Sequence, residues 1–506
     1  MTLFKVVAVV LLSIATTVVA QFVSPPTDLT TATGYGNLTI RYKQVPSGIC
    51  ELNPNVNTYA GYVDVLPNQH IFFLFFEART ANASTAPLTV WLNGGPGCSS
   101  MYGAFTEIGP CFIDYYGNVT NNPYSWTNVS NMLFIDQPTQ VGFSYSNPVP
   151  GYLTGDTDDI TGNSWVIPLI NDTCPSSYVC GTFSDGDPNY TASNVNDAAV
   201  TFWTTLQGFF SVFPQYSTSN FNIAGESYFG QYGPAYATYI LEQNAQNITG
   251  AVNINLKTLL IGNGLFDPQT NTNTTQLFGD PDYNTYDLAF NTNDTDRDNY
   301  DIRELKPDPF CPMFFVDYLN VPKVQDAFGA YVNYTFLSAV SHSNIQKSAN
   351  ISTISRLPQI ASLLNEGVTV VLYNGDADWA CNWRGGEISA NNVNATGFAD
   401  AGYVNITSSD GIVHGQVKQA GSFAFVRIYE AGHAAPFYQP LVSLEMFERA
   451  LNGTDLATGT QVVTSSYLSV GTPDTTYREG NGTVQWTVLP INATYNIDTN
   501  EPNPVN

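Results

Sequence analysis

Ser227 lies in the run Ile223-Ala-Gly-Glu-Ser-Tyr-Phe-Gly230, after the short apolar stretch Phe221-Asn-Ile-Ala224 and before a stretch with helical apolar spacing. A serine at a sharp strand-to-helix turn has its hydroxyl pushed out over the sheet, and the backbone N–H groups that follow stand at the positive end of the helix. That is a place for a nucleophile in acyl transfer. The usual turn of this kind has Gly two residues after the serine. Here Phe229 occupies that position and Gly230 comes one later, so the triplet needs partners. Residues 369–378 form a β-branched run that breaks into Asn-Gly-Asp-Ala-Asp and offers Asp376 or Asp378 as an acid. Residues 425–433, Phe-Val-Arg-Ile-Tyr-Glu-Ala-Gly-His, bring His433 to the end of another strand as a base. The other three histidines have weaker contexts. His70 sits beside an apolar strand, and His342 and His414 lie in polar surroundings with no strand end before them, so structural or surface roles are expected for all three.

The order Ser, then Asp, then His is the order of the α/β hydrolases. Oxyanion donors fit the same reading. Residues 88–100, Leu-Thr-Val-Trp-Leu-Asn-Gly-Gly-Pro-Gly-Cys-Ser-Ser, are a strand that stops in a glycine-rich loop. Adjacent glycines let the backbone come close to a ligand and aim N–H groups at it. A phosphate loop is disfavoured because no Gly-Lys-Ser/Thr follows.

Taken together, Asn93-Gly-Gly-Pro-Gly-Cys-Ser-Ser100, Gly225-Glu-Ser-Tyr228, Gly375-Asp-Ala-Asp-Trp-Ala-Cys-Asn-Trp383 and Gly432-His433 resemble the serine carboxypeptidases, in particular their secreted fungal branch. Asn122-Pro-Tyr-Ser-Trp126, Asp136-Gln-Pro138 with Val141-Gly-Phe-Ser-Tyr-Ser146, and Ile261-Gly-Asn-Gly-Leu265 add to the likeness, which runs from about residue 45 to about residue 450. The resemblance implies an α/β-hydrolase fold, with a mixed, mostly parallel central sheet, helices on both faces and a cap insertion. It implies Ser227 as nucleophile, His433 as general base and Asp378, not Asp376, as the acid. It places the oxyanion hole at the N–H groups of Gly95 and Tyr228. The free C-terminal carboxylate of a peptide would be received by Asn93, Gly94, Glu107 and Glu226. By position Tyr102, Thr106 and Ala434 would line the pocket for the leaving residue. A carboxylate beside another carboxylate has its pKa raised by burial and like charge, so one can stay protonated and donate a hydrogen bond. Such a site is favoured by acid pH and selects chain ends over internal bonds. An esterase or acyltransferase with the same triad is the alternative, and a catalytically inactive binding protein is a third. Asn93, Glu107 and Glu226 argue against the esterase, and the complete triad argues against the inactive protein.

Composition fits this compartment and excludes others. Acidic residues outnumber basic ones 42 to 16, giving a formal charge of −26, which argues against nucleic acid or anionic membranes as partners. Peptide and protein C-termini are the expected partners. No Cys/His cluster has zinc spacing and no cofactor fingerprint appears, so neither metal nor cofactor is expected. Residues 1–20 carry one lysine, a short apolar stretch and Val-Val-Ala before Gln21, and read as a signal peptide. No later run is long enough to span a bilayer. Glycosylation sequons stand at Asn37, Asn82, Asn118, Asn128, Asn171, Asn189, Asn247, Asn273, Asn293, Asn333, Asn350, Asn394, Asn405, Asn452, Asn481 and Asn492, a density that points to secretion, with the vacuole as a second destination. Seven cysteines leave at least one thiol unpaired in an oxidising compartment. Cys174 and Cys180 close a small loop and are the expected disulfide. The resemblance makes Cys381 the candidate free thiol, the alternative being a bond to Cys50 or Cys111.

These residues need a sheet to hold them. Apolar runs mark strands at 61–65, 71–77, 88–93, 132–136, 221–224, 258–262, 369–374 and 423–429, with helices over 194–213 and 233–244. Strands alternating with helices argue for an α/β sheet. The expected organisation is a signal peptide (1–20), a first core segment (21–268) carrying a polar insertion at 148–193, a cap insertion (269–336), a second core segment (337–452) and a C-terminal extension (453–506).

Overall fold

A computed structural model describes residues 21–80, 82–157, 162–277, 297–304, 312–348 and 354–476, and the backbone of 495–496 and 501–502. The expected signal peptide, Cys311 and the sequons at Asn293, Asn350, Asn481 and Asn492 lie outside the described residues.

Twelve strands form one sheet. In chain order they are β1 (Thr30–Thr33), β2 (Thr39–Gln44), β3 (Thr58–Leu66), β4 (Gln69–Phe76), β5 (Leu88–Leu92), β6 (Asn131–Ile135), β7 (Phe221–Glu226), β8 (Leu256–Gly262), β9 (Thr369–Gly375), β10 (Val404–Thr407), β11 (Val413–Ala420) and β12 (Phe423–Ile428). Across the sheet the order is β1-β2-β3-β4-β6-β5-β7-β8-β9-β12-β11-β10. Pairing is parallel from β6 through β5, β7, β8 and β9 to β12, and antiparallel at both flanks. The sheet is mixed, as expected, and its parallel part is the centre, where the strands are buried on both faces and read as continuous apolar runs. β5 (LTVWL) and β6 (NMLFI) are buried at every residue.

Adjacent side chains of one strand feed two cores. Phe73 and Phe75 of β4 join one, and Phe72, Leu74 and Phe76 join the other. Burying each aromatic ring contributes about 1.5–3 kcal/mol. On the first face lie α1 (Val195–Val212), α2 (Phe229–Ala245) and α3 (Leu357–Asn365). Asn194 caps α1, its side chain accepting from the N–H groups of Asn196 and Asp197, an arrangement that stabilises a helix end by about 1 kcal/mol. α4 (Trp383–Asn392) follows β9 and sends Ala390 into the same core. On the other face are α5 (Pro440–Asn452) and the short helices Phe314–Leu319 and Pro322–Phe328.

The edges depart most from the sequence pattern. β1, β2, β10 and β11 are polar strands that apolar runs do not mark. β11 is nevertheless buried from His414 to Ala420, because the chain after residue 464 lies against it: Gln419 N donates to Ser469 Oγ at 2.9 Å, and Gln416 Oε1 accepts from Thr475 Oγ1 at 2.7 Å. Residues 148–193, expected as an insertion, hold a three-stranded sheet of Pro148–Leu153, Val166–Pro168 and Cys180–Ser184. The expected Cys174–Cys180 disulfide is present, and Cys50 pairs with Cys111. Cys381 is unpaired and buried, and Cys98 is unpaired as well. One sequon is corrected. Asn333 is 7 % exposed, and its Oδ1 accepts from Thr182 N at 2.8 Å, so a glycan cannot be attached without opening the fold.

Candidate active site

Central strands end on one side of the sheet in four loops, and these loops build the site. β7 ends at Glu226 and α2 begins at Phe229. Between them Ser227 has φ 64°, a left-handed conformation that costs a non-glycine residue energy and is kept where surrounding structure over-determines it. The turn is held by Ser227 N donating to Gly262 O (3.0 Å) and by Gly230 N and Leu265 N donating to Ser227 O (2.9 and 3.0 Å). Gly230 is needed here, since a Cβ would lie 2.6 Å from Leu265 N. That close approach is why a glycine appears one residue later than the usual pattern.

β9 ends at Gly375, and its loop presents Asp378 to His433. Nδ1–H of His433 donates to Asp378 Oδ2 at 2.7 Å, with the two side chains 4 % and 0 % exposed. The same carboxylate accepts from Asn263 Nδ2 (2.8 Å), Ala380 N (2.9 Å) and Cys381 N (3.2 Å). Asp376, the other acid left open by the residue pattern, faces away and pairs with Arg427 at 3.1 Å. Burial pushes its carboxyl up to about 6 against the pull of Arg427.

The glycine loop after β5 lies beside the serine turn. A Cβ on Gly94 would come 2.3 Å from Tyr228 N and 2.8 Å from Ser227 Cβ, so only glycine fits. Asp136, fully buried at the end of β6, holds this loop: its carboxylate accepts from Ser99 Oγ (2.5 Å), Ser100 N (3.0 Å) and Phe143 N (2.9 Å). Burial pushes Asp136 up to about 7, although these donors pull it back.

Ser227, His433, Asn93, Gly94, Gly95, Cys98, Glu226 and Tyr102 line one cavity of about 130 Å³. Asn93 is locked by Trp91 Nε1 and Gly103 N, which donate to its Oδ1 at 2.8 and 3.0 Å, and its Nδ2 donates to Glu226 Oε1 at 3.0 Å. Glu107 lies directly behind. Both of its oxygens and Oε2 of Glu226 are buried, and the two carboxyls hydrogen-bond each other, which requires a proton on one of them. Burial pushes Glu107 up to about 8, with Glu226 and Asn93 pulling it back. Glu226 is raised well above the usual carboxylate range, first by burial and then by Glu107.

The chain matches the sequence profile described as "Serine carboxypeptidase" over residues 46–286 and 278–453. It belongs to the serine carboxypeptidase family. It is 34 % identical to "Carboxypeptidase S1 homolog B" of Arthroderma otae, covering 87 % of this chain and 80 % of that one. It is 33 % identical to "Carboxypeptidase S1" of Penicillium janthinellum, covering 80 % and 97 %. In fold it is similar to Kex1Δp, a prohormone-processing carboxypeptidase from Saccharomyces cerevisiae, with TM-score 0.64 and 24 % identity over 81 % of this chain and 94 % of that one. This carboxypeptidase has no helix, among the described residues, long and apolar enough to cross a membrane.

Of the three residues expected in the leaving-residue pocket, Tyr102 lines the carboxypeptidase cavity. Thr106 and Ala434 are fully buried behind it, the Thr106 hydroxyl donating to Tyr102 O at 2.5 Å. The remaining wall is Tyr300, Phe336, Leu337 and His342, none of them found by motif. His342, expected at the surface or in a structural role, faces the cavity because the chain at 336–342 is laced to the glycine loop. Ser99 N donates to Phe336 O (2.8 Å), Ser338 N to Gly97 O (3.0 Å) and His342 Nδ1–H to Pro96 O (2.9 Å). The insertion reaches this wall too, since Gly162 packs against His342 and Leu337. Asn263 lies within Ile261-Gly-Asn-Gly-Leu265, a matched motif whose contact with Asp378 nothing in the sequence announced. Asp378, Cys381 and His433 are the one group of three potential metal ligands within 4.8 Å of one another among the described residues, and the imidazole and carboxylate already bond each other.

Proposed function

We propose that the enzyme removes single residues from peptide C-termini through an acyl-enzyme on Ser227, favoured at acid pH, after entry into the secretory pathway. The observation that carries this reading is the buried, mutually hydrogen-bonded Glu107–Glu226 pair, with Glu226 at the cavity wall and next in the chain to the nucleophile. A protonated pair can donate to a substrate carboxylate, and the Asn93 amide and the N–H of Gly94 add donors. An ester without a free carboxylate gains nothing from this corner.

With the carboxylate seated there, the last peptide bond lies over Ser227. Oγ attacks the scissile carbonyl carbon and His433 Nε2 takes the proton, while Asp378 holds the imidazole by Nδ1 and stabilises the imidazolium. The N–H groups of Gly95 and Tyr228 receive the oxyanion. His433 returns the proton to the leaving nitrogen, the C–N bond breaks and the free amino acid departs. Water, deprotonated by His433, then attacks the acyl carbon, and the proton passes back to Ser227 Oγ as the shortened peptide leaves.

The test pairs an N-blocked dipeptide with its C-terminal amide at pH 5. Release of the last amino acid from the acid but far more slowly from the amide, together with labelling of Ser227 by a fluorophosphonate, is the expected result. Equal turnover of acid and amide overturns the carboxylate-recognition role.

A further inference from the structure

Behind His433 the acid loop and the histidine loop are bridged by a third piece of chain that is not part of the central sheet. Residues 298–304 lie between β8 and β9. Ile302 N donates to Ala377 O at 3.0 Å, and Asn299 O accepts from Trp379 N and Ala380 N at 3.2 and 3.0 Å. These contacts flank Asp378 on both sides. On the other side His433 N donates to Tyr300 O at 2.8 Å, and the Tyr300 ring lies 4.8 Å from the imidazole. Gly432 permits this approach, because a Cβ there would sit 2.6 Å from Tyr300 O and 2.9 Å from Asp301 Cβ. An internal ion pair shapes the segment. Arg303 Nε and Nη2 fork onto the two oxygens of Asp301 at 2.9 and 2.5 Å, with side chains 3 % and 1 % exposed. Its Nη1 reaches Glu430, on the histidine loop itself, at 3.1 Å.

The relative placement of Asp378 and His433 thus depends on backbone groups of Asn299, Tyr300 and Ile302, and the curvature that presents those groups depends on Arg303. A planar fork fixes direction as well as charge, which a lysine ammonium does not. We propose that residues 298–304 are a positioning strap for the catalytic pair, and that Arg303, acting through Asp301 and Glu430, is the positioning residue that fixes it. This rests on the triad roles proposed above.

Two variants of the full chain test it. Arg303→Lys retains the charge and loses the fork. The double variant Asp301→Asn/Arg303→Gln removes both charges and leaves neither buried alone. Each is assayed for kcat and KM on an N-blocked dipeptide, for melting temperature, and for the low-field proton resonance of the His433–Asp378 hydrogen bond. Misplacing a catalytic group by a fraction of an ångström predicts kcat lower on the order of 10- to 100-fold with KM within about twofold. The low-field resonance should shift or broaden, melting should stay near that of the parent, and the lysine variant should lose less than the double. Folded variants whose kcat stays within about twofold of the parent overturn the strap. So does a loss carried by KM, and so does failure of both variants to fold, which would make the segment structural only. If the parent enzyme releases no amino acid, the proposed function fails instead, which this comparison of variants with an active parent keeps separate.

Discussion

Asp378 and the Glu107–Glu226 pair are buried at the same site, one beside His433 and the other beside Asn93, and they are treated in opposite ways. Asp378 accepts four hydrogen bonds, from His433, Asn263, Ala380 and Cys381. The glutamates share one outside donor, the Asn93 amide, and otherwise face each other. Donors stabilise the charged form and their absence favours the proton. Asp378 and the glutamates thus differ in two respects, the number of donors facing them and the like charge of a neighbouring carboxyl, which adds to burial in raising Glu226.

The largest effect should come from breaking the side rich in donors. Asp378→Asn retains the shape and offers an amide where the imidazole needs an acceptor, so kcat should fall about 10⁴-fold, and Ser227→Ala should fall at least as far. Steady-state assays of purified, folded variants check this, and activity within tenfold of the parent in either would remove that residue from the mechanism.

The protonated side should break more gently and with a sign set by pH. Burial pushes Glu107 up to about 8, and Glu226 is raised too. As pH climbs from 5 through 8 Glu107 loses its proton, and the pair faces the substrate carboxylate as an anion. KM for an N-blocked dipeptide should rise on the order of 10- to 100-fold, the worth of a hydrogen bond to a charged group. The matching amide should show little of that rise, and Glu226→Gln should flatten it. A rise of the same size in peptide and amide would place the titration elsewhere.

The same proton has a smaller consequence for stability. A carboxyl whose pKa is higher in the folded state than in the unfolded one binds more protons when folded, so stability falls as pH rises between the two values. For Glu107 that window runs from about 4.5 to about 8. Asp136 (about 7) and Asp376 (about 6) act in the same direction. Melting temperature should therefore decline from pH 5 to pH 8, and Glu107→Gln should reduce the decline by a few degrees. An unchanged slope in that variant would mean that Glu107 is already ionised at pH 5.

Sequence made some of this comparison visible and hid the rest for physical reasons. The central strands and the turns at Ser227, Asp378 and His433 stood out because parallel strands buried on both faces must be continuously apolar and must end in loops. Glu107 and Glu226 were found by their place in matched motifs, not by any pattern of their own. The lack of donors around them is a property of tertiary packing. β11 was invisible because its polar side chains are satisfied by a tail distant in sequence. Tyr300, Phe336 and Leu337 were missed because they come from connecting chain without periodicity, and His342 because it lies in a short polar helix, Ala339–Ser348; all are placed by hydrogen bonds to the glycine loop and the histidine loop. The share of antiparallel pairs was underestimated because the polar outer strands β1, β2, β10 and β11 did not register as strands.

The mildest prediction concerns which residue is released, and it sharpens the contrast between the two kinds of acid. Tyr102, Tyr300, Phe336 and Leu337 give the cavity an aromatic and aliphatic wall. The acids on that side are Glu226 at the wall and Glu107 behind it, and at pH 5 a protonated pair offers no charge to a lysine or arginine side chain. Peptides ending in Phe or Leu should then exceed those ending in Lys or Arg in kcat/KM by about tenfold, the discrimination an apolar pocket supplies. Since deprotonation creates a negative charge beside the pocket, the advantage should shrink as pH rises toward 8, even while every substrate binds less well. Measuring kcat/KM for the four peptides at pH 5 and pH 7.5 decides it. A clear lead for Lys or Arg at pH 5 would show an ionised acid next to the leaving side chain, and with it the contrast between Asp378 and the glutamate pair would fail.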